Sequence, residues 1–281
     1  MRKYSRLTSL SSMQPAYPRY RGRVAFLHSA PMAFAHRGFS LGGLENTLTA
    51  FRAATALGFT HLETDVRATR DAALVAFHDD RLDRVTDRTG LLAALDWSEV
   101  AAARIGGPAG GPERIPLFSE LAEELPDAFF NVDVKEAGAV VPFAEVIERM
   151  RLHERVLVTS FSDARRRAVL ARLSRPVASS AGVATAAAFR LLGAVPHAAL
   201  ARSLRDVQAL QVPERYRAVR VVTPQFVARA HRLGLQVHVW TVNEPADMER
   251  LLDLGVDGLV TDRADVLRSV LETRGEWPPG A

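Results

Sequence analysis

The sequence predicts an α/β protein, a (β/α)8 TIM barrel with a small insertion after the second strand and a hairpin-like extra strand. From Pro31 onward, short apolar runs alternate with Ala/Leu/Arg-rich amphipathic segments, the rhythm of repeated βα units on a parallel sheet. The runs that read as principal strands number eight. The length, 281 residues, is long for one ordinary domain and short for two, whereas α/β barrels run to about 250 residues as one unit.

The expected strands are Ala33–His36, His61–Val66, Ala128–Lys135, Val156–Ser160, Val177–Ser180, Ala209–Val212, Gln236–Thr241 and Asp257–Thr261. Between them lie helices over Thr47–Leu57, Phe118–Glu124, Val140–Leu152, Asp163–Leu173, Ala184–Leu192, Pro224–Leu233 and Glu244–Leu254. Several begin with a capping Thr, Ser or Asp or carry Pro in the first turn, and Gly58, Gly234 and Gly255 fall where a helix should stop. Ala73–Phe77 follows the second strand too closely for a crossover helix, which places it in a hairpin excursion. Asp79 to Pro116 is an insertion before the third strand, either a partial cover over the barrel mouth or a passive spacer.

Composition narrows the function classes. With 48% hydrophobic and 24% charged residues the chain is neither disordered, collagen-like nor coiled-coil. It has no cysteine, which excludes disulfide scaffolds, thiolate metal sites and thiol nucleophiles. No apolar run reaches the ~20 residues of a membrane span. Six of the 36 basic residues fall in the first 24 positions, without an acid, so the remaining 30 face 32 acids. The net charge of +4 therefore belongs to an arm, residues 1–30, expected to be loosely ordered. Residues 31–275 form the expected domain and 276–281 a tail. The arm lacks the apolar stretch of a secretory signal, which gives a cytoplasmic expectation.

In a strand, residues two apart share a face, so His61-Leu62-Glu63-Thr64-Asp65 sets the carboxylates of Glu63 and Asp65 side by side. Adjacent acids in a buried barrel strand are costly unless a cation or strong donors compensate them. The third strand repeats the pattern in Asn131-Val132-Asp133-Val134-Lys135. Apart from Lys3 in the arm, Lys135 is the only lysine, and it sits at a strand's C-terminal end, where barrel enzymes keep their catalytic groups. Glu63, Asp65 and Asp133 offer three hard oxygen ligands suited to one divalent cation, Mg²⁺ or Ca²⁺. The competing reading is buried salt bridges to barrel arginines. His36 and His78 each end a strand beside a charged residue, as an acid–base pair would. Arg37 adds a bidentate phosphate donor, and Gly38 permits close backbone approach.

The segments AHRG (35–38), ENT (45–47), LETDV (62–66), FHDD (77–80), NVDVK (131–135), VLVTSF (156–161), VHVWTVN (237–243) and GVDGLVTDRADVL (255–267), in that order, resemble the glycerophosphodiester phosphodiesterase family from Pro31 to Leu271. The resemblance implies a barrel enzyme that uses a divalent cation to hydrolyse glycerophosphodiesters to glycerol 3-phosphate and an alcohol. It implies His36 and His78 as the acid–base histidines, Arg37 as a phosphate contact, Glu63 and Asp65 as metal ligands, and Lys135 as the family's lysine. Asp133 stands where the family commonly has a glutamate, one methylene longer. Glu45 is expected beside the metal ligands, and Trp240 as an apolar wall for the glycerol or headgroup. The nucleophile is either water or the substrate's own 2-hydroxyl.

Two rival readings stand beside this one. A relative acting on lysophospholipids or sphingolipids should carry an exposed apolar rim, for which Leu91–Leu95 is the candidate within the insertion. A catalytically silent barrel would bind phosphate-bearing ligands or nucleic acid through its basic arm. The expected partner is a small glycerophosphodiester, with no specific nucleic acid, no transmembrane anchor and at most weak membrane-surface contact.

Overall fold

The computed structural model describes residues 25–28, 31–107, 110–191 and 204–277. Eight parallel strands form the barrel: β1 Met32–His36, β2 His61–Ala68, β3 Phe129–Val134, β4 Val156–Thr159, β5 Ala178–Ser179, β6 Ala209–Pro213, β7 Gln236–Trp240 and β8 Gly258–Thr261. The hydrogen-bonded order is β5-β4-β3-β2-β1-β8-β7-β6, and a parallel bridge between Ser180 and Ala209 joins the two ends. Each strand lies within one or two residues of its sequence expectation. The excursion is also present, as Leu74–Ala76 pairs antiparallel with Val66–Ala68.

The helices follow in turn: α1 Leu48–Ala56, α2 Phe118–Glu124, α3 Val140–Met150, α4 Asp163–Leu170, α5 Val183–Leu191, α6 Pro224–Arg232, α7 Pro245–Asp253 and α8 Ala264–Arg274. The last has no counterpart in the sequence expectation. Thr47, Ser162 and Thr223 accept from the backbone N–H three residues on, each such cap contributing about 1 kcal/mol. The apolar face of these helices packs on the outward residues of the strands, with Leu62, Val66, Phe130, Val132, Val156 and Val158 in one continuous core.

The insertion is a folded unit with its own core. Leu82, Leu92, Val100, Ala103, Ile105 and Ile115 are buried with Phe77 and Leu44, around a short helix at Trp97–Ala101 and a hairpin pairing Arg104–Gly107 with Gly110–Arg114. Leu92 is fully buried and Leu95 packs on the same core, while Leu91 is 43% exposed, so the Leu91–Leu95 stretch is mainly core and offers Leu91 as its apolar surface. The segment holds the insertion together.

Most of the 1–30 stretch lies outside the described residues, but within it residues 26–28 pack against the barrel. Phe26 is completely buried beneath the barrel, edge-on to His61 and Phe129. Its carbonyl accepts from His61 Nε2 at 3.2 Å, and the His28 carbonyl accepts from Gln236 Nε2 at 2.8 Å. At the other terminus Trp277, expected in the tail, covers Phe59 at a ring separation of 5.1 Å. His238 fills the barrel interior beside Phe34, and a Cβ on Gly258 would come within 3.0 Å of both. Burial lowers the pKa of His61 to about 3 and of His238 to about 4, so both are neutral packing groups.

Candidate active site

The C-terminal ends of β1, β2, β3 and β8 bring the titratable groups together. Ala35 is in register with Thr261 and His36 with Glu63, so the residues after those pairs meet at the mouth. His36 Nδ1 lies 2.6 Å from Asp262 Oδ1, and Asp262 Oδ2 accepts from Asn243 Nδ2 at 2.9 Å. His78, just beyond the extra strand, has its Nδ1 2.6 Å from Asp79 Oδ1. Arg84 of the insertion clamps Asp79 and Glu45 together, at 2.5 and 2.6 Å. Arg84 and His78 hold the Asp79 carboxyl down at about 2 against the opposing effect of burial. In both histidines an acid engages Nδ1, and His36 Nε2 lies 3.7 Å from Glu63 Oε2.

Arg37 turns the chain out of β1 in the left-handed region, at φ 53, a conformation that costs a non-glycine residue about 1–2 kcal/mol. Its N–H donates to the Glu63 carbonyl at 3.0 Å and to Glu63 Oε2 at 3.2 Å, while its carbonyl accepts from the Asn46 N–H at 3.0 Å. The turn is thus fixed from three sides. Gly38, at φ 82, is required by packing, since a Cβ there would strike the Ala50 backbone at 2.6 Å. The Arg37 guanidinium donates to Glu45 at 3.0 Å and lies 3.0 Å from Asp65 Oδ2. Its Nε lacks a directed hydrogen bond, so the approach to Asp65 is coulombic.

Glu63, Asp65 and Asp133 point into the barrel and are 8%, 1% and 5% exposed. Lys135 Nζ bridges Asp65 and Asp133, at 2.7 Å to each, and Asn46 Nδ2 donates to Asp65 at 3.1 Å. Burial and the neighbouring Asp65 raise the Glu63 pKa. Burial likewise raises Asp133, against the pull of Lys135. Asp65 stays low because Lys135 and Arg37 outweigh its burial. Burial would lower His36, but Glu63 and Asp262 more than offset it, for a net rise.

Part of the salt-bridge reading is therefore present, made with a lysine and one arginine. It is incomplete. Asp133 Oδ1 is buried without a hydrogen-bond partner, and the elevated Glu63 is met by the Arg37 N–H at 3.2 Å and by His36 Nε2 at 3.7 Å. Among the described residues no three of His, Asp and Glu stand in ion-holding geometry as placed. The hard oxygen chemistry and the orphaned Asp133 oxygen nevertheless suit a divalent cation.

The Trp240 ring lies 5.8 Å from that of Phe161, just after β4. Lys135 Nζ, 5.6 Å from the Phe161 ring, joins the polar half of the mouth to this apolar half. Residue-by-residue reading missed Asp262, Asp79, Asn46 and Arg84 as members of the site. Asp262 and Asp79 lay in the quoted TDR and FHDD segments, and a carboxylate next to a strand-end histidine was the available signal for Asp79.

Acids, histidines and guanidinium gathered at the carboxyl ends of parallel strands define a phosphodiester-cleaving (β/α)8 enzyme. The chain belongs to the Glycerophosphoryl diester phosphodiesterase family, whose model matches residues 36–266. A probable glycerophosphodiester phosphodiesterase 2 of Mycobacterium tuberculosis is 47% identical over 259 residues, covering 90% of this chain and 96% of that one. A glycerophosphodiester phosphodiesterase of Caldanaerobacter subterraneus is 28% identical, over 87% of this chain and 99% of that one. The fold matches that of an Oleispira antarctica phosphodiesterase solved in complex with the product sn-glycerol-3-phosphate, with a TM-score of 0.70, 24% identity, and coverage of 86% and 97%. No described helix is long and apolar enough to cross a membrane.

Proposed function

We propose that this phosphodiesterase hydrolyses glycerophosphodiesters to glycerol 3-phosphate and an alcohol by a two-histidine acid/base mechanism, with one divalent cation, Mg²⁺ or Ca²⁺, held by Glu63, Asp65 and Asp133. The observation that carries the reading is the matched pairing of His36 with Asp262 and His78 with Asp79, both at 2.6 Å. Each acid accepts from Nδ1, fixes the ring and stabilises it when protonated. One Nε2 takes the nucleophile's proton and the other returns a proton to the leaving alkoxide, each transfer supplying about 10²–10⁴-fold. Arg37, held by Glu45, donates to the non-bridging phosphoryl oxygens. Lys135 neutralises the charge that grows on them. The cation, when bound, supplies Lewis-acid polarisation of the phosphoryl group. Incubating several glycerophosphodiesters with each divalent ion, and detecting glycerol 3-phosphate, tests the reading. Hydrolysis undiminished by a chelator counts against the cation.

A second reading, hydrolysis of lysophospholipids, is favoured by the Phe161–Trp240 pair with Phe161 55% exposed, an apolar wall at the mouth. Comparing lysophosphatidylcholine with glycerophosphocholine as substrates separates the two.

A further inference from the structure

Between β6 and α6 the chain projects a hairpin, Arg215-Tyr216-Arg217-Ala218-Val219-Arg220, exposed at all six positions. It is an ordered projection. Arg215 pairs with Arg220 and Tyr216 with Val219, Arg217 takes the left-handed turn position at φ 52, and the Val221 and Val222 N–H groups donate to the Glu214 carbonyl at 2.9 and 3.2 Å. Tyr216 and Val219 are 62% and 54% exposed, so the pair that should stabilise a hairpin by cross-strand burial faces water instead. About half of the arginines elsewhere among the described residues sit against acids, as in Arg52–Glu124 at 2.6 Å and Arg268–Glu272 at 2.8 Å. Arg215 and Arg217 have no ion pair among the described residues, and Arg220 reaches only Glu214, at 3.9 Å.

The hairpin leaves the C-terminal end of β6, where Pro213 is in register with Trp240 of β7. It therefore belongs to the same end of the barrel as the histidines. Val183 donates its N–H to the Phe161 carbonyl at 3.0 Å, and both side chains are more than half exposed. Exposed apolar side chains and unneutralised guanidinium groups thus share the catalytic end, a combination that suits a lipid headgroup layer.

We infer that the 215–220 hairpin docks the barrel mouth on an anionic phospholipid surface, with Arg215 and Arg217 on the headgroup phosphates and Tyr216 and Val219 in the interfacial layer. Docking rests on the phosphodiesterase reading only for its use in catalysis, because the contact itself needs no turnover. The test is cosedimentation of the full chain with phosphatidylcholine vesicles containing about 30 mol% phosphatidylglycerol, and with phosphatidylcholine alone. Binding should require the anionic lipid. An arginine near such a surface contributes roughly fivefold, so R215A/R217A should weaken the partition coefficient about 25-fold. Turnover of dissolved glycerophosphocholine should be unchanged in that variant, which shows that fold and site survive. A variant that binds like the parent assigns the attraction to the basic arm and overturns the proposal. Arginine-dependent binding to duplex DNA without binding to vesicles overturns it in favour of a nucleic acid. Vesicle binding without any hydrolysis would leave docking standing and remove the catalytic reading.

Discussion

His36 and Asp262 lie 226 positions apart in sequence and 2.6 Å apart in space, joined through Nδ1 and Oδ1. The β1–β8 pairing closes this distance, setting the last residue of the first strand beside the residue after the last strand. Asn243 completes the arrangement, accepting from the Asp262 N–H at 3.0 Å and donating to its side chain. The dyad is thus a product of barrel closure itself, and loosening β8 would disturb His36 directly.

Asp262→Asn should lower kcat by at least about 10²-fold with little change in KM, because an amide cannot stabilise the protonated ring as a carboxylate does. Asp262 helps to raise the His36 pKa. The limb of the pH–rate profile that belongs to His36 should therefore move to lower pH. An unmoved profile would mean that Asp262 serves structure alone.

Lys135 holds two buried carboxylates that would otherwise repel each other. Lys135→Met should cost about 3–5 kcal/mol in urea denaturation, the scale for removing one partner of a buried ion pair. Millimolar Mg²⁺ or Ca²⁺ should restore part of that loss by replacing the missing positive charge. A loss that no cation relieves would argue against a metal site among Glu63, Asp65 and Asp133.

Acid should destabilise the fold through its neutral histidines. His61 and His238 have folded pKa values near 3 and 4 against an unfolded 6.5, so the unfolded chain binds protons that the folded chain refuses. Their contribution is complete above pH 6.5 and is lost as the pH falls from there toward 4. By about pH 5.5 each should have lost about 1.4 kcal/mol. His36, whose pKa is raised, works in the opposite direction and offsets part of this. Urea midpoints measured at several pH values should show the decline, and His238→Gln should flatten it.

The apolar half of the mouth makes a further demand. Trp240→Ala should raise KM for substrates whose alcohol is apolar and leave kcat for glycerophosphocholine nearly intact, since the Trp240 ring packs on Phe161. Parallel Michaelis curves on the two substrates check this. Equal losses on both would place the indole in the chemistry.

The strands were legible because each reads as a short apolar run between turn residues, and alternation within β2 and β3 placed Glu63, Asp65 and Asp133 on one inner face. Apart from Asp79, which sits beside His78, what escaped depended on contacts distant in sequence. Asp262 needs barrel closure to reach His36. Asn46 is aimed at Asp65 by a turn that Arg37 and Glu63 fix. The insertion looked like a cover or a spacer because its core draws Leu44 and Phe77 from elsewhere in the chain. Its Arg84 contributes to the site by clamping Glu45 and Asp79. Gly38 shows the reverse case, a glycine in a motif whose need is set by the backbone of α1.

The most direct measurement is the rate of glycerol 3-phosphate release from glycerophosphocholine by His36→Ala and His78→Ala, each shown by circular dichroism to be folded. A two-histidine mechanism predicts that each variant loses at least about 10²-fold in kcat. Full activity in either would contradict it.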